Sequence, residues 1–160
     1  IGRIMHEPVE EDFGAIVRDA LSLLNGSITA GNIHIDFVDE GHKITGDRVR
    51  LLEVIQNLVE NAIKFMGDQP VPEIHIGSIK DDEGKPVFFV QDNGIGIEPQ
   101  YQDRVFGIFN KLDAKTEGSG IGLTLVKRII EVHNGNIWLT SQPGKGTTFF
   151  FTIPGATTNE

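Results

Sequence analysis

The 160-residue chain contains no cysteine, which excludes disulfide bonds and thiolate chemistry and agrees with a reducing compartment. No apolar run approaches the roughly 20 residues that a bilayer-spanning helix requires. No signal peptide is recognisable, and Ile1-Gly2-Arg3-Ile4-Met5 reads as the cut end of a longer chain. Positive charge is scarce: 14 Lys and Arg against 23 Asp and Glu leave a net charge of −9. Such a surface repels nucleic-acid backbones, so no nucleic-acid partner is expected. It also repels small phosphorylated ligands, so any phosphate site must supply local donors and a cation. No metal-ligand spacing joins the five histidines. The length suits one domain with a single core. Glycine is abundant instead: the nineteen glycines gather in a few motifs and form no flexible tract.

Apolar residues at 13, 16, 17, 20, 21 and 24 have helical spacing, and Asn25-Gly26 is expected to end that helix. Ile33 to Val38 alternates as a half-buried strand does, with Lys43-Ile44-Thr45 as its expected short partner. Asp47 is a good N-cap for a helix from Arg48 to about Met66. Glu73 to Ile79 and Pro86 to Gln91 read as strands joined by the turn Asp81-Asp82-Glu83-Gly84-Lys85. A short helix is expected around Tyr101 to Phe109, and a longer one from Ile121 to His133, closed by Asn134-Gly135. Asn136 to Ser141 and Thr147 to Ile153 form a final hairpin around Pro143-Gly144-Lys145-Gly146. This order predicts an α+β fold with helices gathered on one face of a largely antiparallel sheet.

Three stretches carry chemistry. On the helix from Arg48, an advance of 100° per residue places Leu51, Leu52, Ile55, Leu58, Val59, Ala62, Ile63 and Met66 on one arc. Asn57, Asn61 and Lys64 fall on the other side. An amide oxygen is a hard neutral ligand suited to Mg²⁺, and Lys64 can meet a phosphate as a point charge. In the second stretch, Val87-Phe88-Phe89-Val90 delivers Asp92 to a strand end, followed by Asn93-Gly94-Ile95-Gly96-Ile97. A carboxylate only accepts hydrogen bonds, so Asp92 can read the exocyclic amine of adenine and reject a carbonyl. Gly94 and Gly96 allow close approach and positive φ, and Ile95 and Ile97 can wall a ring. A plain Asp-Asn-Gly hairpin turn would return at once as a strand, whereas here the chain enters Glu98-Pro99-Gln100.

Residues 98–117 form a long connection without periodicity, the kind that is usually functional inside a compact domain. It carries Phe106 and Phe109 as anchors and Arg104, Lys111 and Lys115 as candidate phosphate contacts. The third stretch, Gly118-Ser119-Gly120-Ile121-Gly122-Leu123, opens a helix whose free N–H groups and positive dipole end suit an anion. It is not a Rossmann fingerprint, which needs a preceding strand and different spacing. Nor is Gly144-Lys145-Gly146-Thr147 a P-loop, because glycine follows the lysine.

From Phe13 to Pro154 the chain resembles the ATP-binding catalytic domain of sensor histidine kinases, within the gyrase, heat-shock chaperone, histidine kinase and MutL superfamily. Asn57-Leu58-Val59-Glu60-Asn61-Ala62-Ile63-Lys64-Phe65 resembles the N box, Asp92 to Ile97 the G1 box, Val105 to Leu112 the F box, and Gly118 to Leu123 the G2 box. Gly144 to Pro154 is similar to the family's last strand. The resemblance implies a two-layer α/β sandwich (the Bergerat ATP-binding fold), with a mixed, mostly antiparallel sheet and three helices on one face. It implies ATP and Mg²⁺ as cofactors, with Asn61 on the metal, Asp92 on the adenine amine and residues 98–117 as the lid. The implied nucleotide contacts are Asn57, Asn61, Lys64, Phe65, Asp92, Gly94, Gly96, Ile97, Phe109, Lys111, Gly118, Gly120, Gly122, Leu123, Thr147 and Thr148. Which of Thr147 and Thr148 faces the pocket is open from alternation alone.

Hydrolysing members of the superfamily carry a glutamate four residues before the metal asparagine. Here that position is Asn57, whose amide cannot accept a proton at neutral pH. Glu60 points about 100° away from Asn61 on a helix and is a poor substitute. This favours a protein-histidine kinase over an ATP-hydrolysing member; a serine kinase of the anti-sigma type is the other alternative. No nucleophile is expected on this chain. His6-Glu7 lacks the basic residue expected of a phosphoacceptor motif, so the resemblance implies an acceptor histidine on a separate dimerisation domain of the parent chain. Residues 1–8 are expected to be a remnant of that helix or its linker, 9–156 the ATP-binding domain, and 157–160 a tail. A response regulator receiver domain is then an indirect partner, and the isolated domain is expected to be a monomer in the cytoplasm, with membrane anchoring of the parent left open. Asp12-Phe13-Gly14 spells a protein-kinase tripeptide without its companion motifs and reads as chance.

Overall fold

Asp12 opens the first helix by accepting a hydrogen bond from the Gly14 amide at 3.1 Å, which gives the Asp-Phe-Gly tripeptide a capping role. The computed structural model describes residues 7–107 and 121–157. Strand β1 (Val9–Asp12) leads into α1 (Phe13–Leu23), which buries Phe13, Ile16, Val17 and Ala20. Asn25-Gly26 does not end the helical region: a short α2 (Asn25–Ala30) follows, with no buried residue. Lacking an apolar stripe, α2 left no periodic signal.

Strands β2 (His34–Phe37), β4 (Glu73–Lys80), β5 (Pro86–Asp92), β7 (Gly146–Phe151) and β6 (Ile137–Gln142) lie side by side in that order in one five-stranded sheet. The β2–β4 pair is parallel and the others are antiparallel. Strand β3 (Lys43–Gly46) does not pair with β2, as expected from sequence, but with β1. The acidic run Val9-Glu10-Glu11-Asp12 has no apolar alternation and so gave no strand signal. It is held by backbone pairing with β3 and by an ion pair from Glu11 to Arg48 at 3.1 Å. Thr157 joins the same small sheet through two backbone bonds to Lys43.

The long helices α1, α3 (Arg48–Lys64) and α5 (Ile121–Val132) share one core cluster with the inner face of the five-stranded sheet, so the expected two-layer sandwich is present. Phe88 sits at the centre, stacked on Phe13 with ring centroids 4.2 Å apart and tilted against Phe151 at 5.5 Å. Alternation places Phe88, Val90 and Asp92 on the same face of β5, so the side chain ending that apolar row is a carboxylate. Among the described residues, no helix is long and apolar enough to cross a membrane.

A buried histidine fixes α5 against α3. The Asp47 amide donates to His133 Nε2 at 3.0 Å, and His133 Nδ1 lies 2.8 Å from the Ile129 carbonyl. An amide only donates, so Nε2 accepts and the proton sits on Nδ1, which donates to Ile129. His133 thereby joins the end of one helix to the N-cap of the other. His133→Ala removes the imidazole that accepts from the buried Asp47 amide and is expected to cost about 1–3 kcal/mol in urea unfolding; a loss below about 0.5 kcal/mol would show the link to be dispensable.

Candidate functional site

Helix α3 begins at Asp47, whose carboxylate accepts from the Val49 and Arg50 amides at 3.1 and 3.4 Å. Its buried face comprises Leu51, Val54, Ile55, Leu58, Val59 and Ala62; Val54 widens the arc expected from sequence. Asn57 and Asn61 are half-buried on the remaining face, and Lys64 is exposed in the last turn. The Asn57 Nδ2 group donates to the Glu53 carbonyl at 2.8 Å. That fixes its oxygen toward α5, where a Cβ added to Gly122 would meet Asn57 Oδ1 at 3.0 Å. Two motifs far apart in sequence thus touch at Asn57 and Gly122. The Asn61 side chain makes no hydrogen bond to another described residue, and its amide oxygen is available to a ligand.

Asp92 is 7% exposed. Its Oδ1 accepts from the Gly94 amide at 2.8 Å and the Thr147 amide at 3.3 Å, leaving Oδ2 for another donor. Burial pushes this carboxyl up to about 6, against the opposing effect of those two amides. Thr147 pairs with Asp92 across β5 and β7, whereas Thr148 pairs with Gln91. Register therefore puts Thr147 on the Asp92 face and Thr148 on the other, the question that alternation alone left open.

The loop after Asp92 is held on three sides. Asn93 accepts from the Glu73 amide at 2.9 Å and donates to the Val71 carbonyl at 2.8 Å. The Ile95 amide donates to Phe65 O at 2.9 Å, just beyond the end of α3, and the Gly144 amide donates to Ile95 O at 2.7 Å. A Cβ on Gly94 would lie 2.3 Å from Phe65 O; one on Gly96 would lie 2.1 Å from Gln142 O, at a φ of +75°. Glycine is required here first by the protein's own backbone, a closer constraint than the ring contact expected from sequence. Ile97 is buried in the core, while Ile95 is exposed.

Two residues not anticipated from sequence complete this wall. Ser141 Oγ accepts from the Ile97 amide at 2.8 Å and lies 2.8 Å from Thr147 Oγ1. Gln102 Nε2 donates to Ile97 O at 2.9 Å and to Ser141 O at 3.3 Å. A serine and a glutamine in polar positions leave no pattern by which sequence could have singled them out.

The short helix of the connecting segment is α4 (Pro99–Gln102), earlier than the expected Tyr101 to Phe109. Proline fits the first turn because no N–H is needed there. Phe106 does serve as an anchor, edge-on to Phe149 with centroids 6.0 Å apart, and its carbonyl accepts from Thr124 Oγ1 at 2.8 Å. The Arg104 guanidinium lies 5.2 Å from the Tyr101 ring centroid. Leu123 packs partly buried against the core. Phe109, Lys111, Lys115, Gly118 and Gly120, like His6, lie outside the described residues.

No group of three or more His, Asp or Glu that could hold a metal occurs among the described residues. The donor set fits Mg²⁺ brought in with phosphates: one hard amide oxygen, from Asn61, with phosphate and water oxygens filling the other positions.

The family model described as histidine kinase-, DNA gyrase B- and HSP90-like ATPase matches residues 46–157. The methanogenesis regulatory histidine kinase FilI of Methanothrix harundinacea (strain 6Ac) is 46% identical over 154 residues, 96% of this chain but 17% of that protein. Among solved structures, full-length ShkA in complex with AMPPNP is similar with a TM-score of 0.81 at 25% identity, over 98% of this chain and 32% of that one. The catalytic domain of histidine kinase ThkA, in a nucleotide-free form, gives 0.79 at 31% identity over 93% and 96% of the two chains. ThkA in complex with the response regulator protein TrrA gives 0.74 at 28% identity over 92% and 41%.

The Asp92 carboxyl opposes folding once it must ionise. Its folded value of about 6 lies above the ordinary 3.8, so between roughly pH 4 and 6 the unfolded chain releases its proton while the folded one holds it. Stability falls as pH rises through that window. Asp92→Asn removes this burden and is expected to be more stable than the wild type at pH 8 by up to about 3 kcal/mol, with the gap closing below pH 4. Urea unfolding at both pH values checks it; an equal gap at the two would contradict the burial argument.

Proposed function

Because this chain belongs to the histidine kinase-, DNA gyrase B- and HSP90-like ATPase family, we propose that it is the ATP-binding catalytic domain of a two-component sensor histidine kinase. It binds Mg-ATP and donates the γ-phosphoryl group to a histidine on a separate dimerisation and phosphoacceptor domain of the parent chain. The observation that carries this reading is Asp92, a buried carboxylate with one oxygen fixed by two amides and the other left to accept from an adenine amine. Thr147 stands beside it on the same sheet face. Across the domain, the Asn57–Gly122 contact sets the metal-binding turn of α3 against the start of α5, whose helix N-terminus suits phosphate.

Bound Mg²⁺ neutralises charge on the phosphates and orients them. The chain's own residues do the rest: Asn61 offers an amide oxygen to the metal, Lys64 faces phosphate from the last turn of α3, and Ile97 and Leu123 shape the base pocket. Phosphoryl transfer depends mainly on such positioning and charge neutralisation. Asn57 takes no part as a base, since its NH₂ is committed to Glu53 O and an amide cannot accept a proton at neutral pH. Water activation is therefore weak, as suits a kinase whose phosphoryl acceptor is a histidine. The similarity to a kinase solved with its response regulator supports a receiver domain as the downstream partner. The isolated domain is a cytoplasmic monomer in this reading.

Saturation with Mg-ATP at a hundredfold its dissociation constant adds about 2.7 kcal/mol and should raise Tm by about 5–10 °C. The rise should be lost in Asp92→Asn and shrink as pH falls through about 6, where the free carboxyl protonates. Supplied with a histidine acceptor domain, the protein should form acid-labile phosphate. Acid-stable phosphate would point to a serine kinase, and sustained phosphate release without an acceptor to a hydrolase.

A further inference from the structure

We propose that Ser141 is a positioning residue that fixes the Thr147 hydroxyl as a hydrogen-bond acceptor and thereby sets the base selectivity of the site. The inference rests on the ATP-site reading above and extends it to a residue on β6. Ser141 Oγ has three neighbours: it accepts from the Ile97 amide at 2.8 Å, donates to the Gly146 carbonyl at 2.9 Å, and lies 2.8 Å from Thr147 Oγ1. A serine hydroxyl has one proton and two lone pairs. The Ile97 amide can only donate and the Gly146 carbonyl can only accept, so Ser141 gives its proton to Gly146. The contact with Thr147 is then satisfied in one way, with Thr147 donating to Ser141.

That assignment uses up the one side-chain donor of Thr147, whose backbone amide already donates to Asp92 Oδ1. What remains at Thr147 Oγ1 is lone pairs, next to Asp92, which also only accepts. The two residues are direct partners across β5 and β7, and both are buried. A pair of oxygens restricted to accepting matches a 6-aminopurine, reached directly or through a water. It opposes a 6-oxopurine, whose oxygen would face a lone pair with no donor to meet it. Asp92 alone rejects a carbonyl only weakly, because Thr147 could turn and donate; Ser141 prevents that turn.

The test is the affinity of Mg-ATP and Mg-ITP for wild type, Ser141→Ala, Ser141→Thr, Thr147→Val and the double variant Ser141→Ala/Thr147→Val, with nucleotide-free melts to confirm folding. Ser141→Ala should lower the ATP-over-ITP preference by about tenfold, the worth of one hydrogen bond, chiefly by improving ITP. Ser141→Thr, which keeps the hydroxyl, should retain the preference. In the Thr147→Val background the serine should no longer affect the ratio. If Ser141→Ala weakens both nucleotides by the same factor, or alters the ratio equally without the Thr147 hydroxyl, the proposal is overturned while ATP binding stands. Wild type that binds neither nucleotide overturns the ATP-site reading and the proposal with it.

Discussion

A carboxylate placed at the end of the apolar row on the inner face of β5 is the constraint on which the rest of this domain depends. Asp92 follows Phe88 and Val90 on that face, where burial penalises its charge and raises its pKa to about 6. Two backbone amides on one oxygen compensate in part. Full compensation waits for a donor at the second oxygen. The fold therefore holds a group that is poorly satisfied alone and well satisfied by a ligand, at the cost of some stability.

The surrounding structure keeps that carboxylate in one place. The loop following it is fastened to the end of α3 through Phe65, to β4 through Asn93, to β6 through Ser141 and to the β6–β7 turn through Gly144. Side chains at 94 or 96 would strike backbone carbonyls, so the glycines are fixed by packing before any ligand is considered. His133 ties α5 to the N-cap of α3, and Asn57 meets Gly122 further along the same pair of helices. The wall around Asp92 and the α3–α5 helix pair, to which the proposed function assigns metal and phosphate binding, are thus parts of one continuous frame.

Much of this was legible in the sequence. The 3.6-residue period of α3 and the Asp47 cap predicted which face of that helix is buried and which carries Asn57 and Asn61. Alternation in β4, the apolar run of β5 and the hairpin turn between β6 and β7 predicted those strands, and the spacing of Asp92, Gly94 and Gly96 predicted a site. What escaped was set by tertiary pairing. Strand β1 is acidic and exists because β3 pairs with it, so β3 was expected beside β2. Thr147 and Thr148 could be told apart only by the register of β7 against Asp92. Ser141 and Gln102 matter through hydrogen bonds to residues distant in the chain, which no local pattern records.

The central claim is that Asp92 is buried, perturbed and completed by an adenine nucleotide. A ¹³C carboxyl titration of Asp92 by NMR, with and without saturating Mg-ATP, tests it most directly. Nucleotide-free protein should show a midpoint near 6, and Mg-ATP should move it downward, because a donor at Oδ2 favours the ionised form. A midpoint at the ordinary 3.8 in the free protein, or one near 6 that saturating Mg-ATP leaves unmoved, would contradict the account.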